Sequence, residues 1–207
     1  MKITDKIEIT CEDNMELMKR YPDNYFELAI VDPPYRDENQ PTKDMRKSGS
    51  MKSLEGRPTQ EYWNELYRVS KSQIIWGANN FQLPQFKGFV VWRKLTIGEK
   101  FTMSMAEIAS LSEGLGTTSK VIEVAPQGTS QNPRIHPTQK PVLLYEWLLK
   151  NYAKEGDKIL DTHLGSGSIA LACHNMDFEL TACELDKDYY NDAVKRIKNH
   201  IKQQRLF

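Results

Sequence analysis

The sequence predicts an α/β fold, a mostly parallel sheet with helices on both faces, and three observations lead there. Short apolar runs rich in β-branched residues alternate with stretches whose apolar residues recur three and four apart, the pattern of buried strands joined by crossover helices. The first 35 residues read strand, helix, strand, a unit that sets its two strands parallel. Far along the chain, Ile159 to Ala170 reads strand, glycine turn, helix.

Taken in order, Lys6 to Thr10 alternates polar and apolar residues and predicts a strand. Asp13 follows as a capping residue for a helix over Met15 to Arg20, with Leu17 and Met18 toward the sheet. Pro22-Asp23-Asn24 is a turn, and Phe26 to Val31 a buried strand. Arg36 to Pro58 is polar and interrupted by Pro41, Gly49 and Gly56, a long loop of the functional or disordered kind. Between Lys43 and Arg57 it carries five basic residues against two acidic ones, which suits contact with phosphates.

Thr59 to Val69 predicts a helix with Tyr62, Leu66 and Val69 on one face. Gln73 to Trp76, Phe89 to Trp92 and Glu107 to Leu111 read as strands, and Gly114 to Arg134 as mostly irregular chain. Pro141 suits a first helical position, so a helix is expected from the His136 to Pro141 string to about Tyr152, with Leu144, Trp147 and Leu148 as its stripe. Lys158 to Asp161 is a strand, Ser168 to Asn175 a helix, and Glu179 to Glu184 a strand. Asp188 to Gln203 is a last helix burying Tyr190, Val194, Ile197 and Ile201.

The 207 residues, 39% of them hydrophobic, suffice for one domain with its own core, spanning 1–207. No apolar segment is long enough to cross a membrane and the N-terminus has no apolar signal region, so a cytoplasmic protein is expected. Cys11, Cys173 and Cys183 lack C-x-x-C spacing, which argues for a reducing compartment and against a zinc site. The formal net charge of zero means that any nucleic-acid surface must be local.

Two stretches carry the chemistry. The Phe26 to Val31 strand stops at Asp32-Pro33-Pro34-Tyr35, because neither proline can donate to a ladder and each stiffens the chain. Open α/β sheets place ligands beyond the carboxyl ends of their strands. There the tetrad offers a carboxylate (Asp32), an aimed carbonyl (Pro33) and a flat ring (Tyr35), which suit gripping and stacking a base with an exocyclic amino group. The second stretch, Asp161-Thr162-His163-Leu164-Gly165-Ser166-Gly167, lets a ligand lie against backbone, and Glu184 closes the next strand where an acid can accept ribose hydroxyls. As a bare pattern, Gly165-x-Gly167-x-x-Ala170 also fits a nicotinamide site, but its place near the C-terminus leaves no second half for the nicotinamide.

With both stretches in view, the chain resembles the amino-group DNA methyltransferases that use S-adenosylmethionine. The family's D-P-P-Y tetrad is Asp32-Pro33-Pro34-Tyr35, its H-P-T-Q-K-P string stands at His136 to Pro141, and its cofactor turn is Asp161 to Ser168. The catalytic motif precedes the cofactor motif, an order that looks like the circularly permuted beta class. The resemblance implies a single Rossmann-like methyltransferase domain that methylates N6 of an adenine flipped out of double-stranded DNA. N4 of cytosine, or a silent DNA- or cofactor-binding module, remain as alternatives. It implies catalytic roles for Asp32, Pro33, Pro34 and Tyr35, with Asp13 reading the cofactor's adenine and Glu184 its ribose. Asp161, Gly165, Ser166 and Gly167 would cradle the methionine part, with Thr138 and Lys140 near its carboxylate. Asn79-Asn80-Phe81 and Trp92-Arg93-Lys94 fall where the family lines its target pocket. DNA contact is expected at 36–58 and 114–135, no metal is implied, and a homodimer and a restriction-modification setting are compatible with the family. The departure is Thr162-His163, where the family has Pro-Phe.

Overall fold

The computed structural model describes residues 1–35, 38–39, 54–126 and 134–203. The chain begins with β1 (Ile7–Cys11), α1 (Asn14–Met18) and β2 (Phe26–Val31), the expected strand, helix, strand unit. Asp13 caps α1, its carboxylate accepting from Met15 N at 2.8 Å. In the polar stretch that follows, β3 (Glu38–Asn39) and β4 (Leu54–Glu55) pair antiparallel. The basic residues Lys43, Arg46, Lys47 and Lys52 lie outside the described residues. The chain continues through α2 (Gln60–Val69), β5 (Ser70–Trp76), β6 (Gly88–Arg93), β7 (Ala106–Leu111) and β8 (Lys120–Glu123). It ends with α3 (Val142–Tyr152), β9 (Lys158–Asp161), α4 (Ser168–Met176), β10 (Glu179–Glu184) and α5 (Lys187–Lys202).

Among the described residues, eight strands form one sheet in the order β1-β10-β9-β2-β5-β7-β6-β8. All run parallel except β7, which is antiparallel to both its neighbours. The carboxyl ends of the other seven therefore share one rim. Side chains leave a strand alternately to its two faces. In β2, Leu28 and Ile30 join the core layer with α3, α4 and α5, while Ala29 and Val31 join the layer with α1 and α2. This is the doubly covered sheet that near-continuous apolar strands require.

Four expectations are corrected. The stretch read as irregular from Gly114 contains β8, an edge strand that buries only Ile122. Pro141 is the extended residue before α3, with ψ of 144°, rather than its first helical residue; it supplies no side-chain cap. In α3 the buried stripe is Leu144, Tyr145, Leu148 and Leu149, leaving Trp147 half-buried. α5 starts one residue early because Asp186 caps it, accepting from Asp188 N and Tyr189 N, and its buried face is Tyr189, Ala193, Val194 and Ile197. Tyr190 and Ile201 are only partly buried.

Candidate active site

β2 and β9 are neighbours in the sheet, with Leu28 opposite Ile159 and Ala29 opposite Leu160. Two stretches more than a hundred residues apart in sequence therefore leave the rim side by side. Together they open one cavity of about 750 Å³. Asp32, Pro33, Pro34 and Tyr35 line it, as do Asp13, Thr138, Lys140, Gly165, Ser166 and Glu184. Asp161 is buried where β9 ends, and Gly167 caps the start of α4 with φ of +73°, its backbone against Ile197 and Ala193.

On the β2 side, Tyr35 donates its hydroxyl to Asp32 Oδ1 at 2.7 Å, and Lys140 donates to Asp32 Oδ2. Lys140 lies 3.1 Å from Glu107 Oε2, and Lys94 lies 2.5 Å from Glu107 Oε1. Lys140 thus bridges two carboxylates beneath the tetrad and lines the cavity shared with the turn after β9. Burial pushes the Asp32 carboxyl upward, with Lys140 pulling the other way. Burial opposes charge on Glu107 too, but Lys140 and Lys94 together outweigh it and hold this carboxyl down at about 2.

The Tyr35 ring rests on the backbone of Gly77, which follows β5 with φ of +68°. A Cβ there would stand 2.1 Å from Tyr35 Cε1. Phe81 lies beside it, its ring 6.0 Å from that of Tyr35 and edge-on. Gly77→Ala is expected to cost about 1–2 kcal/mol in left-handed backbone strain and to displace the Tyr35 ring. The melting temperature should fall modestly while turnover falls at least tenfold; unchanged turnover would show that the ring's position does not matter.

On the β9 side, Glu184 accepts from Gly165 N at 2.8 Å and from Asp186 N at 3.0 Å, so its carboxylate is fixed at the cavity wall. Gly165 has φ of +52°, and a Cβ there would press on the His136 ring at 3.3 Å. His136 is in turn held by Thr138, whose N–H lies 3.4 Å and Oγ1 3.2 Å from Nδ1, and packs edge-on against Tyr189. His163 stands where the family has phenylalanine and is wired at both nitrogens. Nδ1 lies 2.9 Å from Thr162 Oγ1, and Nε2 lies 3.3 Å from the Asn14 amide nitrogen. Thr162 Oγ1 continues to Tyr62 Oη at 2.7 Å. Burial holds the imidazole down at about 4, so it is neutral and acts as a packed, oriented ring.

Asp161 accepts from His163 N at 2.9 Å, yet burial pushes its carboxyl up to about 8. The ordinary value is 3.8, so the native state keeps a proton that the unfolded chain loses at low pH. Stability from this group is present below the unfolded value and is lost as pH rises through the folded one. His136 and His163, whose values burial lowers, act oppositely but only below about pH 6.5. The thermal midpoint of the unliganded protein is therefore expected to fall between about pH 6.5 and about pH 8, and Asp161→Asn should flatten that decline. A wild-type midpoint that rises across this interval would contradict the assignment.

Other expected residues divide. Phe81 packs beside Tyr35, and Asn80 binds back to Gly77 O at 3.0 Å and accepts from Arg57 at its own carbonyl. Trp92 is a core residue donating to Val124 O at 2.8 Å, and Arg93 pairs with Glu123 on the surface, so of that trio Lys94 alone reaches the site, through Glu107. Glu107, Gly77 and Asn14 have no assigned role in the sequence reading, which gives Tyr62 only as a helix-face residue and His136 only as the start of the H-P-T-Q-K-P string. Gly77, directly after a predicted strand, carried the one usable local signal.

Comparison with known proteins bears on the family and the fold. An N6/N4 methyltransferase family model, described as DNA methylase, matches residues 10–195. The type II methyltransferase M.HpaI of Haemophilus parainfluenzae is 23% identical, over 93% of this chain and 74% of its own. The structure of the M1.HpyAVI–SAM complex superposes with a TM-score of 0.60 at 19% identity, over 91% of this chain and 98% of its own. PvuII DNA methyltransferase, which is cytosine-N4-specific, superposes with a TM-score of 0.62 at 12% identity, over 93% and 91%. The two structural likenesses are of fold, and they make the architecture Rossmann-like.

Proposed function

The chain belongs to the DNA methylase family, uses S-adenosylmethionine, and, we propose, works as a single domain that methylates N6 of an adenine flipped out of double-stranded DNA. The observation that carries this reading is the meeting, in one cavity, of the Asp32 to Tyr35 tetrad with the glycine turn that follows β9. The residues present fit the cofactor: Gly165 and Ser166 line the cavity beside the fixed Glu184 carboxylate, which can accept ribose hydroxyls. Asp13 lines the same cavity for the adenine amino group, and Ser166 and Thr138 line it for the methionine part. When bound, S-adenosylmethionine supplies a methyl group on a sulfonium, which departs as a neutral thioether.

The chain's own residues do the rest. Extruding a base from the duplex costs a few kcal/mol, and stacking on the Tyr35 ring returns about 1–3 kcal/mol. Asp32 and the Pro33 carbonyl accept the two amino hydrogens, which frees the nitrogen lone pair from the ring system. As the new N–C bond forms, positive charge grows on that nitrogen, and the Asp32 carboxylate stabilises it. The surplus proton leaves through Asp32 to water. Orientation supplies much of the rate, since the acceptors hold the amine in line with the methyl.

Within the family, aspartate rather than serine at position 32 favours adenine. Arg57, at the cavity lining with its guanidinium 5.8 Å from the Phe81 centroid, supports assigning DNA contact to 36–58; 114–135 is the second such segment. Residues 127–133 lie outside the described residues. The test is to incubate the protein with duplex DNA and methyl-labelled cofactor, then digest to nucleosides. N6-methyladenine is expected; N4-methylcytosine would overturn the base assignment, and no labelled nucleoside would overturn the activity.

A further inference from the structure

Beneath the cavity, four charged side chains alternate in sign: Asp32, Lys140, Glu107 and Lys94. They come from four places in the chain: the loop after β2, the segment before α3, the start of β7 and the residue after β6. The Lys140 side chain is 2% exposed and that of Lys94 8%, so neither charge is held by solvent. Buried ions are unfavourable unless they are paired, and in this row every charge touches one of opposite sign.

The mechanism above uses Asp32 alone, and the row bears directly on how Asp32 performs. An ammonium on Oδ2, with the Tyr35 hydroxyl on Oδ1, commits both oxygens of a carboxylate that must accept from the target amine. Glu107 competes for the same ammonium at 3.1 Å, and Lys94, at 2.5 Å on its other oxygen, anchors it. We infer that Glu107 is a positioning residue, setting how firmly Lys140 holds Asp32 and so how good an acceptor Asp32 is for the hydrogens of the target amine. The inference rests on the methyltransferase reading of the site.

The other groups facing Asp32 do not offer the same control. Tyr35 in its own loop and Tyr145 on α3 are neutral phenols kept protonated by burial. Asp161 on β9 is a carboxyl also pushed up by burial. Around Glu107, Arg134 adds positive charge beside the two lysines. Among the described residues Lys140 is therefore the cation that acts on Asp32, and Glu107 is the group that shares it.

Two substitutions of opposite effect test this. Glu107→Gln keeps the shape but gives Lys140 wholly to Asp32, which should move Asp32 titration to lower pH by roughly one unit. Lys94→Met leaves Glu107 to draw harder on Lys140 and should move it to higher pH. The readouts are the carboxyl-carbon NMR titration of labelled aspartate in the unliganded protein and the acid limb of the kcat–pH profile, with S-adenosylmethionine affinity as the check on folding. Opposite displacements, with cofactor affinity within about twofold of wild type, are expected; unmoved titrations, or two shifts of one sign, would overturn the inference. A variant that fails to fold leaves the direction of the other to decide. A wild type that methylates no DNA counts against the function, whereas an active wild type with unmoved limbs counts against Glu107 alone.

Discussion

Asp32→Ala is expected to lower the methyl-transfer rate about 10²- to 10³-fold, the usual effect of removing one preorganised group that meets developing charge. The fall should appear in kcat, with cofactor affinity little changed, because Asp32 stands at the end of β2 while Glu184 and Gly165 hold the other side of the cavity. The substitution also strands Lys140. Breaking a buried pair costs about 3–5 kcal/mol, and Glu107 at 3.1 Å should keep the loss at the low end. Asp32→Asn separates these effects: its carbonyl still accepts from the amine, so it should recover part of the rate lost in Asp32→Ala. An Asp32→Ala protein that is folded and turns over at the wild-type rate would end the proposed mechanism.

The second large effect is on cofactor affinity. Glu184→Ala removes the acceptor for the ribose and strips Gly165 N and Asp186 N of their partner. Hydrogen bonds to a charged group contribute about 1.5–3 kcal/mol each, so the dissociation constant should rise about 10- to 100-fold, each tenfold step being about 1.4 kcal/mol. Calorimetric titration with S-adenosylmethionine measures it directly. Glu184→Gln keeps a carbonyl acceptor and should lie between the two. At saturating cofactor, both variants should retain most of their kcat, since neither touches the tetrad. An unchanged dissociation constant in Glu184→Ala would place the ribose elsewhere.

Both of those residues were legible in the sequence for the same reason. Asp32 and Glu184 sit where an apolar run ends, and a run buried on two faces is the strongest strand signal that a chain carries. The loops they open belong to one rim because parallel strands all end on the same side. What could not be read was the pairing between distant elements. Glu107 faces Trp92 in the register of β6 and β7, a relation between two segments joined by an irregular connection, and nothing local to Glu107 marks it as a partner of Lys140. Lys140 lines the cavity that the resemblance assigns to it, but its ion pairs with Asp32 and Glu107 are relations that no local pattern announces.

β8 was missed on different grounds. With Lys120, Val121, Ile122 and Glu123 at the sheet edge, one buried side chain in four residues gives no apolar run, and pairing with β6 alone makes it a strand. In α5 Val194 and Ile197 are buried as expected, and Tyr189 and Ala193 rather than Tyr190 and Ile201 complete the face. At Thr162-His163 the residues themselves gave notice of a departure from the family. The structure adds its consequence, a hydrogen-bonded chain from Asn14 through His163 and Thr162 to Tyr62 that ties the segment after β1 to α2.

The most direct measurement of the central claim is a crystal structure of the protein with S-adenosylmethionine bound. The claim predicts the ribose hydroxyls on Glu184 and the sulfonium methyl turned toward the space between Asp32 and Tyr35, where an amine held by Asp32 could approach to about 3–3.5 Å. A cofactor whose methyl faces away from that tetrad, or which binds outside the shared cavity, would contradict it.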